Sequence, residues 1–383
     1  MGLKGNNELY QWGASYALTG TAIQTAALTP ILTIGSNVES ISIAQLNPNF
    51  AYLNNANQIY TASTGPTALN RTVFYSSPVQ VGTSSWVSVS TGAQTMAALR
   101  SDYSLWMWGN NESGQIGDNT VSIIRSSPIQ IGTGSWNLVS TKGVDVASPQ
   151  LPNTFAIRND GKLFGWGDGT NGQSGYGFTT DRSSPVNIGA GSDYAIAPIQ
   201  IGQSSWSLVA AGGTHAAATS SDNVMFTWGL ATDGQLGLEI GDVTTFRVHR
   251  SSPVQLGTSY FEISPTQVGT SSWSSVAAGL THVTALRSDS ALFAWGLNNN
   301  GELGLDDRIH RSSPVQVGTS SWTLVTAGYS HTAAANTSNI AYTWGNAAVG
   351  QLGLEIGVTS TSDRTANRSS PVQLGSSYYE VQP

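Results

Sequence analysis

Short apolar stretches alternate with polar turns along this chain, and the apolar stretches carry two faces. In LFAWG at 292–296, Phe293 and Trp295 stand two residues apart on one side of an extended strand, while Leu292 and Ala294 fill the other. A strand that is apolar on both sides has to be covered on both sides. The same phrase returns as LYQWG at 9–13, LWMWG at 105–109, LFGWG at 163–167, MFTWG at 225–229 and AYTWG at 341–345. The first interval is about double the others, and within it IYTAS at 59–63 keeps the apolar-aromatic pair but has Ala62 and Ser63 in place of Trp-Gly, a degenerate copy that makes seven.

Each copy sits in a longer unit with one internal order. SSPVQVG, as at 76–82 and 312–318, reads as a short extended segment whose proline suits a strand start or edge. A second strand begins at the Trp of TSSW, and a third is written HVTALRSD at 282–289, closing in a Ser/Asp turn. LFAWG is the fourth, followed by glycine turns such as NNNGELGL. Four short antiparallel strands in a unit of forty to fifty residues are the pattern of a propeller blade. The expected fold is therefore all-β: a single domain over 1–383, a seven-bladed β-propeller with four-stranded antiparallel blades. Six repeats occupy 30–76, 77–126, 127–183, 184–251, 252–312 and 313–369, and a closing blade is shared by 1–29 and 370–383. Stacked blades cover both faces of each strand, and a ring closed by strands from both termini accounts for the incomplete units at the two ends.

The Gly-x-x-His of GGTH (212–215), GLTH (279–282) and GYSH (328–331), the Trp-Gly pairs and the GQLGL turns at 234–238 and 350–354 resemble the regulator-of-chromosome-condensation repeat family. The likeness covers essentially the whole chain. It implies the propeller fold and says less about function, because that fold hosts an exchange factor for a small nuclear GTPase, domains attached to ubiquitin ligases and kinases, and bacterial and viral proteins. A viral or bacterial member is the expectation here.

Composition narrows the choice. Only 10% of residues are charged, the net charge is −7, and 12 Trp and 13 Tyr mark a folded chain and not a disordered one. No basic run is present to neutralise phosphates, which argues against nucleic acid as a partner. No apolar stretch is long enough to span a membrane, and MGLKGNNELYQWG has no apolar core of a secretory signal. With no cysteine, thiolate zinc sites, disulfides and cysteine nucleophiles are excluded.

Candidate chemistry is sparse. His215, His282 and His331 share one repeat position, which spreads equivalent residues around a ring and favours a structural role over a metal or general-base site. His249 and His310 precede arginines in loops without a catalytic partner. Arg125, Arg182, Arg250, Arg311 and Arg368 all stand just before SSP and are read as braces of the blades more than as an anion-gripping ring. GDGTNGQSG at 167–175 lacks the alternating carboxylates of a calcium loop, and Asp306-Asp307 is a turn pair. No enzyme, cofactor or metal is expected.

Function is sought instead in the segments that break the repeat, 184–202, 239–269 and 354–369. Tyr194, Tyr260, Phe261, Tyr378 and Tyr379 are the candidate partner-binding aromatics, with Tyr260, Phe261, Tyr378 and Tyr379 equally able to replace a missing core Trp. The leading functional expectation is a non-enzymatic structural or protein-binding module, a capsid-decoration or tail-associated component of a virion or other extracellular assembly. Its partners would be other protein subunits, and its place the virion or the outside of the cell, with the cytoplasm as the alternative. Two further readings stand beside it, an exchange-factor-like regulator of a small GTPase and a carbohydrate-binding propeller with a glycan partner.

Overall fold

A β-strand that shows apolar residues on both faces finds its cover between two other sheets, and this is how the strands are arranged. The computed structural model describes residues 2–4, 7–13, 27–34, 37–43, 50–63, 75–92, 94–142, 152–170, 172–175, 181–187, 205–230, 233–237, 249–250, 266–268, 270–348, 351–354, 367–374 and 379–380. Among them every regular element is a β-strand, and the ladders form seven antiparallel sheets.

Sheet I runs Val38–Ile43, Phe50–Asn54, Ile59–Ser63, Tyr75–Gln80. Sheet II is Trp86–Thr91, Thr95–Arg100, Leu105–Gly109, Arg125–Gln130, and sheet III is Trp136–Lys142, Asn153–Arg158, Leu163–Gly167, Arg182–Asn187. Sheet V is Trp273–Ala278, His282–Arg287, Leu292–Gly296, Arg311–Gln316, and sheet VI is Trp322–Ala327, His331–Asn336, Ala341–Gly345, Arg368–Gln373. Sheet IV has Trp206–Ala211, His215–Ser220 and Met225–Leu230, with an outer strand in two pieces, His249–Arg250 and Thr266–Gln267, both paired to Met225–Leu230. Sheet VII brings together strands from opposite ends of the sequence: Tyr379–Glu380 pairs with Gly2–Lys4, which pairs with Leu9–Gly13 and through it with Ala27–Ile34.

The degenerate phrase IYTAS is the third strand of sheet I, equivalent to the Trp-Gly strands elsewhere. The phase of the repeat differs from the sequence reading. RSSPVQ at 311–316 is hydrogen-bonded to the Trp-Gly strand before it, with Gly296 opposite Arg311, so it is the outer strand of its own sheet and does not open the next. Units counted from SSP therefore straddle two sheets. A periodic sequence has no marked origin, and only the ladder supplies one.

The first strands of the sheets stand side by side, from Val38–Ile43 through Trp86–Thr91, Trp136–Lys142, Trp206–Ala211 and Trp273–Ala278 to Trp322–Ala327. Between consecutive sheets lie separate apolar cores. Leu105, Met107, Trp136 and Trp166 pack sheets II and III; Phe155, Trp206 and Trp228 pack III and IV; Leu292, Leu303, Trp322 and Trp344 pack V and VI. Leu9 of sheet VII meets Phe50 and Tyr52 of sheet I. Truncating one of these buried tryptophans to alanine would cost about 3–5 kcal/mol.

The Trp-Gly and Gly-Gln-x-Gly motifs lock into one another across sheets. Trp166, Trp228, Trp295 and Trp344 each donate Nε1–H to the carbonyl of Gln115, Gln173, Gln235 and Glu302 at 2.9, 2.9, 3.1 and 2.9 Å, in the turn of the preceding sheet. The second turn glycine lies flat on the indole: a Cβ on Gly237, at φ +66°, would sit 2.7 Å from Trp295 Nε1. Trp108 follows sheet I, whose degenerate phrase is not followed by a Gly-Gln-x-Gly motif in the sequence, and its Nε1 has no partner among the described residues.

Candidate functional site

The end of the sheets where the first strand turns into the second collects a group of ionisable side chains, His215, His282, His331 and Lys142. In sheets IV, V and VI this turn is Gly-x-x-His, closed by Gly N–H donation to the His carbonyl at 2.8 Å for Gly212, Gly279 and Gly328. The imidazole folds back over the glycine: a Cβ on Gly212 would lie 2.6 Å from His215 Cε1, with still less room at Gly279 and Gly328. The ring then reaches the next sheet. Thr332 Oγ1 donates its one proton to the Glu302 carbonyl at 2.8 Å, so the 3.1 Å contact to His282 is an Nε2–H donated to Thr332 Oγ1. His282 Nδ1 is left bare and buried.

His215 is oriented towards sheet V in the same way, with the backbone of Leu280 and His282 beside its ring. Where sheet VI offers Thr332, sheet V offers Val283, and among the described residues neither ring nitrogen of His215 completes a well-formed hydrogen bond, the nearby Leu280 and His282 backbone only partly offsetting its burial. Burial, with the nearby Lys142 charge, pushes the His215 pKa down to about 3. Burial takes His282 to about 3 as well, and the neighbouring His215, His331 and Lys142 add to the shift. His331 falls to about 4, again chiefly through burial. All three are neutral at pH 7. The sequence reading spread these residues around a ring and favoured a structural role; their electrostatic effect on His282 places them near one another, and His282 serves a sheet-to-sheet contact through Thr332.

Lys142 is the residue the sequence reading missed. It stands in sheet III where the other sheets carry Gly92, Gly212, Gly279 and Gly328, each six residues after the strand's Trp. Its cross-strand partner is Asn153, which takes the place of the histidine and leaves room for a side chain. From there the ammonium crosses to sheets V and VI, donating to the Ala278 carbonyl at 3.0 Å and the Ala327 carbonyl at 3.4 Å. Burial alone lowers its pKa to about 8. Aligning the repeats on Trp would have exposed this lysine at a glycine position.

The other candidates resolve into local bracing. Arg125 pairs with Asp118, its Nε–H donating at 2.7 Å, and Arg311 donates to Asp307 at 2.5 Å and to the Ile309 carbonyl at 2.9 Å. Arg368 donates to the Asn367 carbonyl at 3.4 Å, while the side chains of Arg182 and Arg250 lie outside the described residues. Asp168, in the segment weighed as a calcium loop, accepts from Thr170 N, Thr170 Oγ1 and Gln173 Nε2 at 2.9, 2.6 and 2.8 Å, which uses its carboxylate in the turn. His310 Nδ1 accepts from Asn298 N–H at 2.9 Å. Tyr194, Tyr260, Phe261 and Tyr378 lie outside the described residues; of Tyr379 only the backbone is described, in the strand paired to Lys4.

Known proteins are similar to this chain in sequence and in fold. The ultraviolet-B receptor UVR8 of Arabidopsis thaliana is 28% identical over 223 residues, 58% of this chain and 43% of UVR8. The E3 ubiquitin-protein ligase HERC2 of Homo sapiens is 27% identical over 217 residues, 56% of this chain and 4% of HERC2. The match thus spans less than half the length of these curated relatives. Among solved structures, yeast RCC1 (Prp20) bound to Kap60 superposes with a TM-score of 0.75 at 16% identity, covering 98% of this chain and 85% of that one. Prp20p of Saccharomyces cerevisiae, studied for its binding to Gsp1p and histones, gives a TM-score of 0.73 at 17% identity over 98% and 87%. These relatives are eukaryotic and lend no support to a viral or bacterial origin. The interlocked Trp-Gly and Gly-Gln-x-Gly motifs, the Gly-x-x-His turns and the shared fold agree with a family profile that matches residues 69–380, and the chain belongs to the RCC1-like domain family.

Proposed function

We propose that this chain is a protein-binding propeller without chemistry of its own, acting as an exchange-factor-like regulator of a small GTPase. The observation that carries the reading is the superposition on Prp20, a protein studied for its binding to Gsp1p and histones, over 98% of this chain. The ring is taken to be closed with seven blades, which the pairing of Leu3 with Glu380 and the packing of Leu9 against sheet I support. Such a ring offers two broad faces and a rigid frame, the form in which repeat arrays present loops to partners. A virion component and a glycan-binding propeller have no comparable support from the relatives.

The test is direct. A small nuclear GTPase loaded with fluorescent guanine nucleotide is mixed with the purified chain, and nucleotide release is followed. A regulator of this kind speeds release about tenfold or more, equivalent to some 1.4 kcal/mol off the barrier. Unchanged release, with no binding of the nucleotide-free GTPase, would remove the exchange-factor reading.

A further inference from the structure

Lys142 occupies a position that sheets II, IV, V and VI fill with glycine, and its ammonium is held by neutral backbone carbonyls. Two of its three N–H bonds point at the carbonyls of Ala278 and Ala327, which accept hydrogen bonds but carry no charge. Among the described residues the titratable side chains around it are His215, His282 and His331, from the second strands of sheets IV, V and VI, all neutral at pH 7, and the positive charge of the chain's N-terminal amine also acts on His331. Among the described residues no carboxylate pairs with Lys142, and burial is the sole cause that moves its pKa. The side chain is nevertheless partly exposed, at the last residue of its strand. Close by, Asn153 is fully buried with both Nδ2 and Oδ1 unpartnered.

The energetic point is the asymmetry between making and completing an ion pair. Taking an ammonium out of water costs several kcal/mol, and two carbonyls return only part of it. In the folded protein that cost has already been met. An incoming carboxylate loses its own hydration but gains a charge-assisted bond to a cation that is desolvated and fixed in place, a stronger bond than the same lysine would offer on an open surface. A protein that keeps such a cation in a glycine position holds a charge it does not need for its fold. Uncompensated groups of this kind are where binding sites are found.

We propose that the Lys142 end of the axis is a carboxylate-recognition site, taking either a small free carboxylate or an acidic side chain presented by a partner protein. The bound carboxylate draws the ammonium from the Ala278 and Ala327 carbonyls, and the Asn153 amide stands on the strand beside it. The site is independent of whether the partner is a GTPase: loss of exchange activity leaves it standing, and its own failure leaves the exchange reading intact.

The experiment follows the Lys142 amine in the full-length protein by NMR, with lysine labelled at the side-chain nitrogen. The probes are sodium acetate and a hexaglutamate peptide, each against sodium chloride at equal ionic strength. The expected result is a saturable rise of the Lys142 titration midpoint from about 8 towards the ordinary lysine value of 10.5. A saturable gain in thermal stability should accompany it, absent in Lys142→Met. Acetate acting alone assigns a free ligand; the peptide acting where acetate does not assigns a partner's side chain. Equal responses of wild type and Lys142→Met, or no movement of Lys142 with either probe, overturn the proposal. Asp145 is the carboxylate nearest to Lys142 in the sequence, and a response that appears only in Asp145→Asn also overturns the proposal, because the chain would then supply its own counter-charge.

Discussion

At the scale of single residues, the turns between the first and second strands show how one repeated position is used three ways. His282 has a hydroxyl to bond in the next sheet, His215 faces Val283 at the same place, and in sheet III the position is Asn153. Supplying the missing hydroxyl should be tolerated. Val283→Thr offers His215 Nε2 a partner and can pass its own proton to the Gln235 carbonyl, as Thr332 does to Glu302. We expect this variant to lie within about 0.5 kcal/mol of wild type or above it, whereas an ordinary buried Val→Thr loses about 1–3 kcal/mol through an unsatisfied hydroxyl. Val325, fully buried between sheets V and VI, is the control position. Denaturant midpoints of the two variants decide the matter; equal losses would sink the account of the Gly-x-x-His turn. Lys142 was overlooked because the segment after it carries no Gly-x-x-His landmark, although counting six residues on from Trp136 places it at the glycine position.

At the scale of the element, the unit of stability is a strand of one sheet keyed to a turn of its neighbour. Gly237→Ala forces a Cβ to 2.7 Å from Trp295 Nε1 at a φ of +66°. The expected loss is about 2–4 kcal/mol, from left-handed backbone strain together with displacement of a buried indole. Gly318 has a similar φ of +59° with nothing within 4 Å, so Gly318→Ala should cost only about 1–2 kcal/mol. Thermal or chemical unfolding that ranks the two equally would show that the indole can move aside. The strands themselves were legible: their two-sided apolar pattern and their turns gave the right number per unit. The assignment of each RSSPxQ strand to a sheet was not, because that choice is made by hydrogen bonds between segments and leaves no mark within either. The split outer strand of sheet IV, with 251–265 between its halves, was visible only as a break in the repeat.

At the scale of the whole molecule, the buried imidazoles give the fold a common weakness to acid. Their folded pKa values of about 3, 3 and 4 lie below the ordinary 6.5, so the unfolded chain takes up protons first. Their stabilising effect is full above pH 6.5 and is lost as pH falls from there towards 4 and 3. Each histidine contributes up to about 1.4 kcal/mol per pH unit to the slope. His215→Asn, which copies the residue that sheet III already carries, should remove one proton's share of that slope between pH 6 and 4. Urea unfolding across this range measures it, and an unchanged slope would mean that His215 titrates freely in the folded state.

The pairing of Gly2–Lys4 with Tyr379–Glu380 has a consequence for how the molecule comes into being. The two strands leave the ribosome far apart in time, with every other sheet made between them. Until the later one arrives, the earlier one has an open edge, the kind of surface that recruits wrong neighbours. Sheets III to VI can assemble in order as they emerge, the Trp-Gly tryptophan of each reaching back to a turn already made. Sheet VII has to wait. Its completion is therefore also a proofreading step: a chain released before that strand is made keeps its opening strand unpaired and exposes it to the cell's chaperones and proteases.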